Sequence, residues 1–319
     1  AVLHILMGAA KFRPTAHRGP APDASGNFVL SNATTLTPMR QLLKITSIFA
    51  LALVFTAGMA FGQSNETDIK QLTDKNDATV QQDGEANVAD ILQTGANKNT
   101  AIVRQSSNPD ADGVIESTVR QVGYNNFALV NGSRTNDASS ITSQKQFGNL
   151  NKAWINGDEL PGSNEGTSLT QYQDGNRNRA RMSGDDSYSA EQRQIGNRNV
   201  ASTSGNGKNA GVFQKQVGDD NVARQEGNMS FADSDQIQLG DDNRSLLYGI
   251  GHDGPGESYL TRQDGGDNLA RLDANGNGGV LEVRQTGLQN VAQVDWTTSL
   301  NDTFVKQDGF DNTAVVNSN

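Results

Sequence analysis

The sequence predicts an all-β fold, a β-solenoid built from stacked strand–turn–strand repeats of about 22 residues. One observation is that the motif Gln-x-Gly-x-x-Asn-x-Ala recurs at regular spacing through most of the chain. Another is that the residues flanking each motif alternate with a period of two, as strands do. These patterns outweigh a composition typical of disorder, with 34% hydrophobic residues and a formal net charge of -10. A regular repeat can build a thin core from stacked identical positions.

The composition also excludes several classes of function. The chain of 319 residues has no cysteine, which rules out disulfides, thiolate metal sites and thiol catalysis. It has three histidines, and a lone His252 among scattered Ser and Asp residues forms no catalytic triad. We therefore expect neither an enzyme nor a cofactor or metal site. The acidic balance disfavours nucleic acid as a partner.

Residues 39–62 have the pattern of a secretory signal peptide. Arg40 and Lys44 precede an apolar run over residues 45–61, and Ala60-Phe61-Gly62 places small residues at a cleavage site. The alternative is an uncleaved membrane anchor, but about 17 apolar residues are short for a span. We expect no stable membrane insertion once the signal is removed.

The signal divides the chain into four parts. Because a secretory signal acts at the N-terminus, residues 1–38 are expected to be an upstream extension foreign to the native protein, with Met39 as the start. Residues 63–70 would form a short N-terminal segment of the mature chain. Residues 71–319 carry the repeats and are predicted to form the solenoid.

Ten copies of the motif supply the candidate functional residues. Their paired amides are Gln82, Asn87, Gln121, Asn126, Gln146, Asn151, Gln173, Asn178, Gln194, Asn199, Gln216, Asn221, Gln238, Asn243, Gln263, Asn268, Gln285, Asn290, Gln307 and Asn312. Their turn glycines are Gly84, Gly123, Gly148, Gly175, Gly196, Gly218, Gly240, Gly265, Gly287 and Gly309. Two degenerate copies begin at Gln71, without the glycine, and at Gln93, with one extra residue.

Each repeat is predicted to consist of two arcs of about eleven residues, because the first copies are spaced by eleven. A second glycine follows the repeat Asn by six residues and predicts the second turn. It occurs at Gly132, Gly157, Gly184, Gly205, Gly227 and Gly249. Glycine and asparagine tolerate the positive φ that such reversals require.

The period-2 pattern places the motif Gln and Asn on the inner face, together with Ala and one residue that is usually aliphatic. Coils stacked about 4.8 Å apart would set each Gln above the next and each Asn above the next. Laddered amides can bond to their neighbours, so polar side chains become tolerable inside. We predict that this ladder is the self-assembly element. The alternative, that Gln and Asn merely flank surface turns, does not explain the fixed spacing.

These residues resemble the curlin repeat, a Ser-x5-Gln-x-Gly-x-x-Asn-x-Ala-x3-Gln unit, over about residues 71–319. The stretch from Asn87 through Ala89 to Gln93 reproduces the second glutamine of that unit. The resemblance implies export through the periplasm and an outer-membrane pore, followed by extracellular assembly into biofilm amyloid, with a nucleator subunit as a partner. The chain has about twice the repeats of the familiar major subunit, and later repeats lack the second glutamine. A major subunit, a nucleator and a divergent relative therefore stay open.

The expected function is that of a structural subunit of secreted, curli-like functional amyloid fibres serving the biofilm matrix and cell adhesion. Open end coils have unpaired backbone groups that template pairing with further copies of the chain. The alternative is a monomeric secreted β-solenoid that binds a surface, a glycan or ice. Outward positions such as Asp90, Trp154 and Arg181 vary too much for a repetitive binding face. Calcium dependence is disfavoured because the acidic turns lack the Gly-Gly-x-Gly-x-Asp nonapeptide.

Overall fold

The computed structural model describes residues 65–95, 97–107, 114–134, 139–157, 168–183, 188–204, 210–226, 232–248, 257–274, 280–296 and 302–318. These segments contain strands and turns and no helix, hence none that could span a membrane. They all belong to one structural unit, Ala60–Asn319. The expected extension (1–38) and signal peptide (39–62) lie outside the described residues, so the four-part division stays a prediction.

The strands form two parallel sheets, and each coil of the chain contributes one strand to each sheet. The first sheet consists of β1 (Glu66–Gln71), β3 (Asn87–Thr94), β5 (Ile115–Tyr124), β7 (Ser140–Asn149), β9 (Ser168–Asp174), β11 (Tyr188–Ile195), β13 (Ala210–Val217), β15 (Ala232–Leu239), β17 (Glu257–Gly266), β19 (Val280–Leu288) and β21 (Thr303–Phe310). The second consists of β2 (Asp77–Asp83), β4 (Thr100–Ser107), β6 (Phe127–Arg134), β8 (Lys152–Gly157), β10 (Arg179–Arg181), β12 (Val200–Ser202), β14 (Val222–Arg224), β16 (Arg244–Leu246), β18 (Leu269–Ala274), β20 (Val291–Trp296) and β22 (Thr313–Ser318).

Strands of successive coils pair in register. Gln173 is aligned with Gln194, and Gln194 with Gln216, so equivalent positions stack along the solenoid axis. This arrangement confirms the predicted all-β solenoid with about 22 residues per coil. The distance in sequence from one motif Gln to the next varies from 21 to 28 residues. The Gln-to-Asn corner is five residues long in every coil except that of Gln93, where it is six, so most of the variation falls between a second-sheet strand and the following first-sheet strand.

The core between the sheets changes character along the axis. The first-sheet column two residues before the motif Gln is apolar in the early coils, with Ile69, Ile91 and Val119. In the middle coils the same column is glutamine, from Gln144 to Gln236. It becomes apolar again in the last coils, at Val283 and Val305. In this column, apolar burial at the two ends gives way to amide hydrogen bonds in the middle, where Leu169, Met182 and Val212 supply apolar burial from other columns.

The prediction of a second glycine turn is wrong where it can be examined. Gly132 lies in β6 and Gly157 in β8, and neither has a positive φ. A Cβ at Gly132 would lie 3.0 Å from Cγ2 of Ile115, so this glycine makes room for a core side chain. The remaining members, Gly184, Gly205, Gly227 and Gly249, lie outside the described residues.

Candidate functional site

The candidate site begins at one corner of the coil, where the motif Gln lies near the end of a first-sheet strand and a second-sheet strand starts after Asn. The Gln173 side chain is buried there. Its Nε2 donates to Oε1 of Gln194 in the next coil at 2.9 Å and to the main-chain oxygen of Lys152 at 3.0 Å. One N–H thus runs along the axis and the other crosses to the second sheet. The second bond fixes the orientation of the amide, because only its nitrogen can donate to a carbonyl.

The same bond recurs from coil to coil and forms an unbroken ladder, which we call the corner glutamine ladder. Each Nε2 donates to the next Oε1 at 2.7–2.9 Å. Its members are Gln71, Gln93, Gln121, Gln146, Gln173, Gln194, Gln216, Gln238, Gln263, Gln285 and Gln307. Every bond points from the N-terminal towards the C-terminal coil. The ladder therefore has a direction, and so does the solenoid.

A corner asparagine ladder runs beside it. The main-chain N–H of Asn199 donates to Oδ1 of Asn178 at 3.0 Å, and Nδ2 of Asn199 donates to the carbonyl of Gly218 at 2.7 Å. Through its main-chain N–H and its side chain, one residue therefore links three coils. The backbone-to-Oδ1 bond repeats at 3.0–3.2 Å through Asn76, Asn99, Asn126, Asn151, Asn178, Asn199, Asn221, Asn243, Asn268, Asn290 and Asn312.

The turn glycines serve this corner in two ways. All ten predicted glycines have positive φ, between 90° and 128°, a region that glycine enters without strain. A Cβ at Gly218 would also overlap the carbonyl oxygen of Gly240 in the next coil, and the same holds at each motif glycine from Gly123 to Gly287. At Gly309, in the last described coil, the nearest atom is Nδ2 of Asn312 at 3.6 Å. Glycine is thus required for close stacking as well as for the turn.

One of the ten predicted copies lies at the opposite corner. Gln82 donates to Gln105 at 2.9 Å, the N–H of Asn87 donates to Oδ1 of Asn65 at 3.0 Å, and Gly84 faces Ser107. Placing this copy beneath the copy at Gln121 was wrong, because a spacing of eleven residues is half a coil. The corner ladders pass instead through the two copies taken as degenerate, Gln71 with Asn76 and Gln93 with Asn99.

Sequence reasoning missed a strained position. The residue just before the motif Asn has a left-handed backbone although none of its occupants is glycine, with φ between 54° and 70°. The occupants are Lys75, Ala86, Lys98, Asn125, Leu150, Arg177, Arg198, Asp220, Asp242, Asp267, Gln289 and Asp311. The sequence could have indicated this backbone conformation, because Asn and Asp, the non-glycine residues that tolerate it best, recur just before the motif Asn.

A second glutamine ladder lies deeper in the core, at the column two residues before the corner glutamine. Gln144, Gln171, Gln192, Gln214 and Gln236 are buried and bonded in series at 2.6–3.0 Å. Oε1 of Gln144 has no hydrogen-bond partner within the described residues, because Val119 occupies the preceding coil. In the sequence, this second ladder is indicated by the recurring tripeptide Gln-x-Gln.

The exposed side of the corner carries charge in the later coils. Burial, and then the carboxylates of Asp220, Asp267 and Asp241, raise the pKa of Asp242. Hydrogen bonding to Arg198 lowers the pKa of Asp220. Within the described residues no three His, Asp or Glu side chains are grouped as metal ligands would be.

Two in-register parallel sheets, tied by side-chain ladders at one corner, define a class of repetitive β-solenoid whose coils are nearly interchangeable. The family model described as the curlin associated repeat matches residues 73–106, which cover β2, β3 and most of β4. This match supports assignment of the chain to the curlin-repeat family. No curated protein matches the chain.

Proposed function

We propose that the protein is a structural subunit of extracellular, curli-like functional amyloid fibres, in which copies stack end to end and both sheets continue from one subunit into the next. The observation that carries this proposal is the directional corner glutamine ladder. It runs from Gln71 in the first described coil to Gln307 in the last, with the same bond at every step. A ladder of identical steps can be extended by an identical chain.

The two end coils offer complementary hydrogen-bonding groups. In the interior, each corner glutamine donates to the glutamine of the following coil. Gln307 instead donates to the main-chain oxygen of Asn312 at 2.9 Å, within its own corner. In a fibre this donor would turn to Oε1 of Gln71 in the next subunit. The N–H of Asn76 would likewise donate to Oδ1 of Asn312, as the equivalent atoms do within the solenoid.

The end coils also carry apolar residues in the column two residues before the corner glutamine, where the middle coils carry glutamine. Ile69 in β1 is 41% exposed, although the residues stacked in its column, Ile91 and Val119, are buried. The matching residue of the last coil, Val305, would cover it in a stacked pair. Stacking of the two ends would remove apolar surface from water, and no glutamine of this column would be buried at the junction without a hydrogen-bond partner.

The proposed biological setting is taken from the curlin-repeat family. The curlin-repeat family is a structural, non-enzymatic family associated with extracellular curli fibres, and for this chain we propose the same role in biofilm matrix and adhesion. Export through the periplasm and an outer-membrane pore, and interaction with a nucleator subunit, belong to this proposal. The corner amides act in self-assembly, not in catalysis.

Incubation of the purified mature protein (residues 63–319) without agitation tests the proposal. The expected result is thioflavin-positive fibres with a reflection at about 4.7–4.8 Å along the fibre axis. A protein that stays monomeric and β-rich under the same conditions would contradict it, and would favour a solenoid that binds a surface as a monomer.

A further inference from the structure

A groove of about 670 Å³ crosses the outer face of the second sheet over β8 and β10. The side chains that matter here are Asn131, Lys152, Trp154, Asn156, Arg179 and Arg181. Ile155 and Met182 of the core form its floor, and none of its lining residues belongs to either corner ladder. Concave sites lined by an aromatic ring and a few polar groups are typical of ligand binding.

Among the described residues, the cations of this groove have no carboxylate partner. Lys152 and Arg179 are in register on neighbouring strands, and Arg181 is in register with Trp154. Like charges on directly opposed positions repel each other. No ion pair compensates them within the described part of the chain, whereas Arg198 pairs with Asp220 and Lys306 with Asp308. On a chain with a net charge of -10, an uncompensated basic groove indicates an anionic ligand.

An aromatic surface adjoins these cations. The rings of Phe127 and Trp154 are tilted against each other with centroids 5.8 Å apart, and Trp154 is half-buried. The indole of Trp154 supplies an apolar surface on the strand next to Arg181, whose guanidinium can form paired hydrogen bonds. Oδ1 of Asn156 is buried with no hydrogen-bond partner among the described residues.

We propose that this groove binds a short segment of an acidic polysaccharide, with a uronate carboxylate on Arg179 and Arg181 and a sugar ring against Trp154. Arginine forms paired hydrogen bonds with carboxylates, and the two asparagine side chains supply donors and acceptors for sugar hydroxyls. The proposal goes beyond fibre formation, since it gives each subunit a means of holding matrix polysaccharide.

The extent of the basic patch favours a sugar acid over nucleic acid. On one side the columns continue with Val200 and Ser202, and on the other with Phe127 and Leu129. The charge is thus confined to two neighbouring coils. A nucleic-acid strand needs a longer row of cations along its phosphates.

Calorimetric titration of freshly purified, unassembled mature protein tests the site. The probes are a short oligogalacturonate, the neutral oligogalactose of equal length and a short single-stranded DNA. We expect binding of the uronate alone, weakened about tenfold or more in the double variant Arg179→Gln/Arg181→Gln, since charge-assisted bonds are lost. The variant Trp154→Ala should also weaken it.

The matched control is Arg262→Gln/Arg284→Gln, which removes two cations from the first sheet, where Asp264 and Glu282 pair with them. This control should bind the uronate as the unmodified protein does. Equal loss in the control would show general charge attraction and overturn the proposal. Equal binding of the neutral sugar, or tighter binding of DNA through the same arginines, would overturn it too. Because the assay uses unassembled protein, its outcome is independent of fibre formation.

Discussion

Gln194 donates a hydrogen bond from Nε2 to Oε1 of Gln216 at 2.9 Å, and both side chains are buried. An amide buried without partners would destabilise the fold, whereas an amide with bonded neighbours in both adjacent coils does not. The ladder is therefore what allows a protein with so few apolar residues to form a core. The stability of each coil depends on the coils beside it.

Interrupting the corner glutamine ladder should destabilise the solenoid. The substitution Gln194→Ala leaves Nε2 of Gln173 and Oε1 of Gln216 without their side-chain partners. We expect a loss of about 2–4 kcal/mol, since each buried unsatisfied group costs about 1–3 kcal/mol. Chemical unfolding of the unassembled protein measures it. Glu191→Gln, an exposed change on the same strand, is the control, and an equal effect of both variants would refute the role of the ladder.

The left-handed position before the motif Asn offers a stabilising change. Leu150 has φ 60° and is 36% exposed, so its backbone is strained while part of its side chain stays in water. We expect Leu150→Gly to raise the free energy of unfolding by about 1 kcal/mol. Ile141→Gly, at an exposed strand position without positive φ, should lower it. If both substitutions lower stability, strain at this position is not significant.

The acidic column in the later coils predicts a pH dependence. The pKa of Asp242 is raised in the folded chain, first by burial and then by neighbouring carboxylates, so its charge opposes folding. That cost is present above the raised pKa and disappears as the pH falls towards the ordinary carboxyl pKa. Thermal unfolding across this range should show that Asp242→Asn stabilises the protein at neutral pH and has little effect below it.

Asp308→Asn provides the opposite case. Hydrogen bonding to Lys306 lowers the pKa of Asp308, so its favourable charge is present above the ordinary carboxyl pKa and is lost as the pH falls further. This variant should be slightly destabilised at neutral pH. If the stability of the two variants depends on pH in the same way, neither carboxylate has its pKa changed by neighbouring groups as described.

Much of the fold was predictable because one motif fixes both the corner and the register. Gly218 sets the turn and Asn221 starts the next strand, and their repetition aligns every coil. The spacing of eleven residues, half a coil, already implied that Gln82 lies opposite Gln71 and Gln93, but its complete motif made it resemble the copies of the main corner. The basic groove was not predictable, since Lys152 and Arg179 come together only when β8 and β10 are stacked.

The substitution Gly309→Ala tests end-to-end stacking most directly. Within the described coils, a Cβ at Gly309 meets no atom closer than 3.6 Å, whereas at Gly218 it overlaps the following coil. The unassembled variant should therefore be destabilised only by the strain of an alanine at positive φ, about 1–3 kcal/mol. Its addition to preformed fibre seeds should slow by about tenfold or more, because the Cβ would clash with the corner of the next subunit. Seeded growth of Gly309→Ala at the unmodified rate would contradict assembly through this coil.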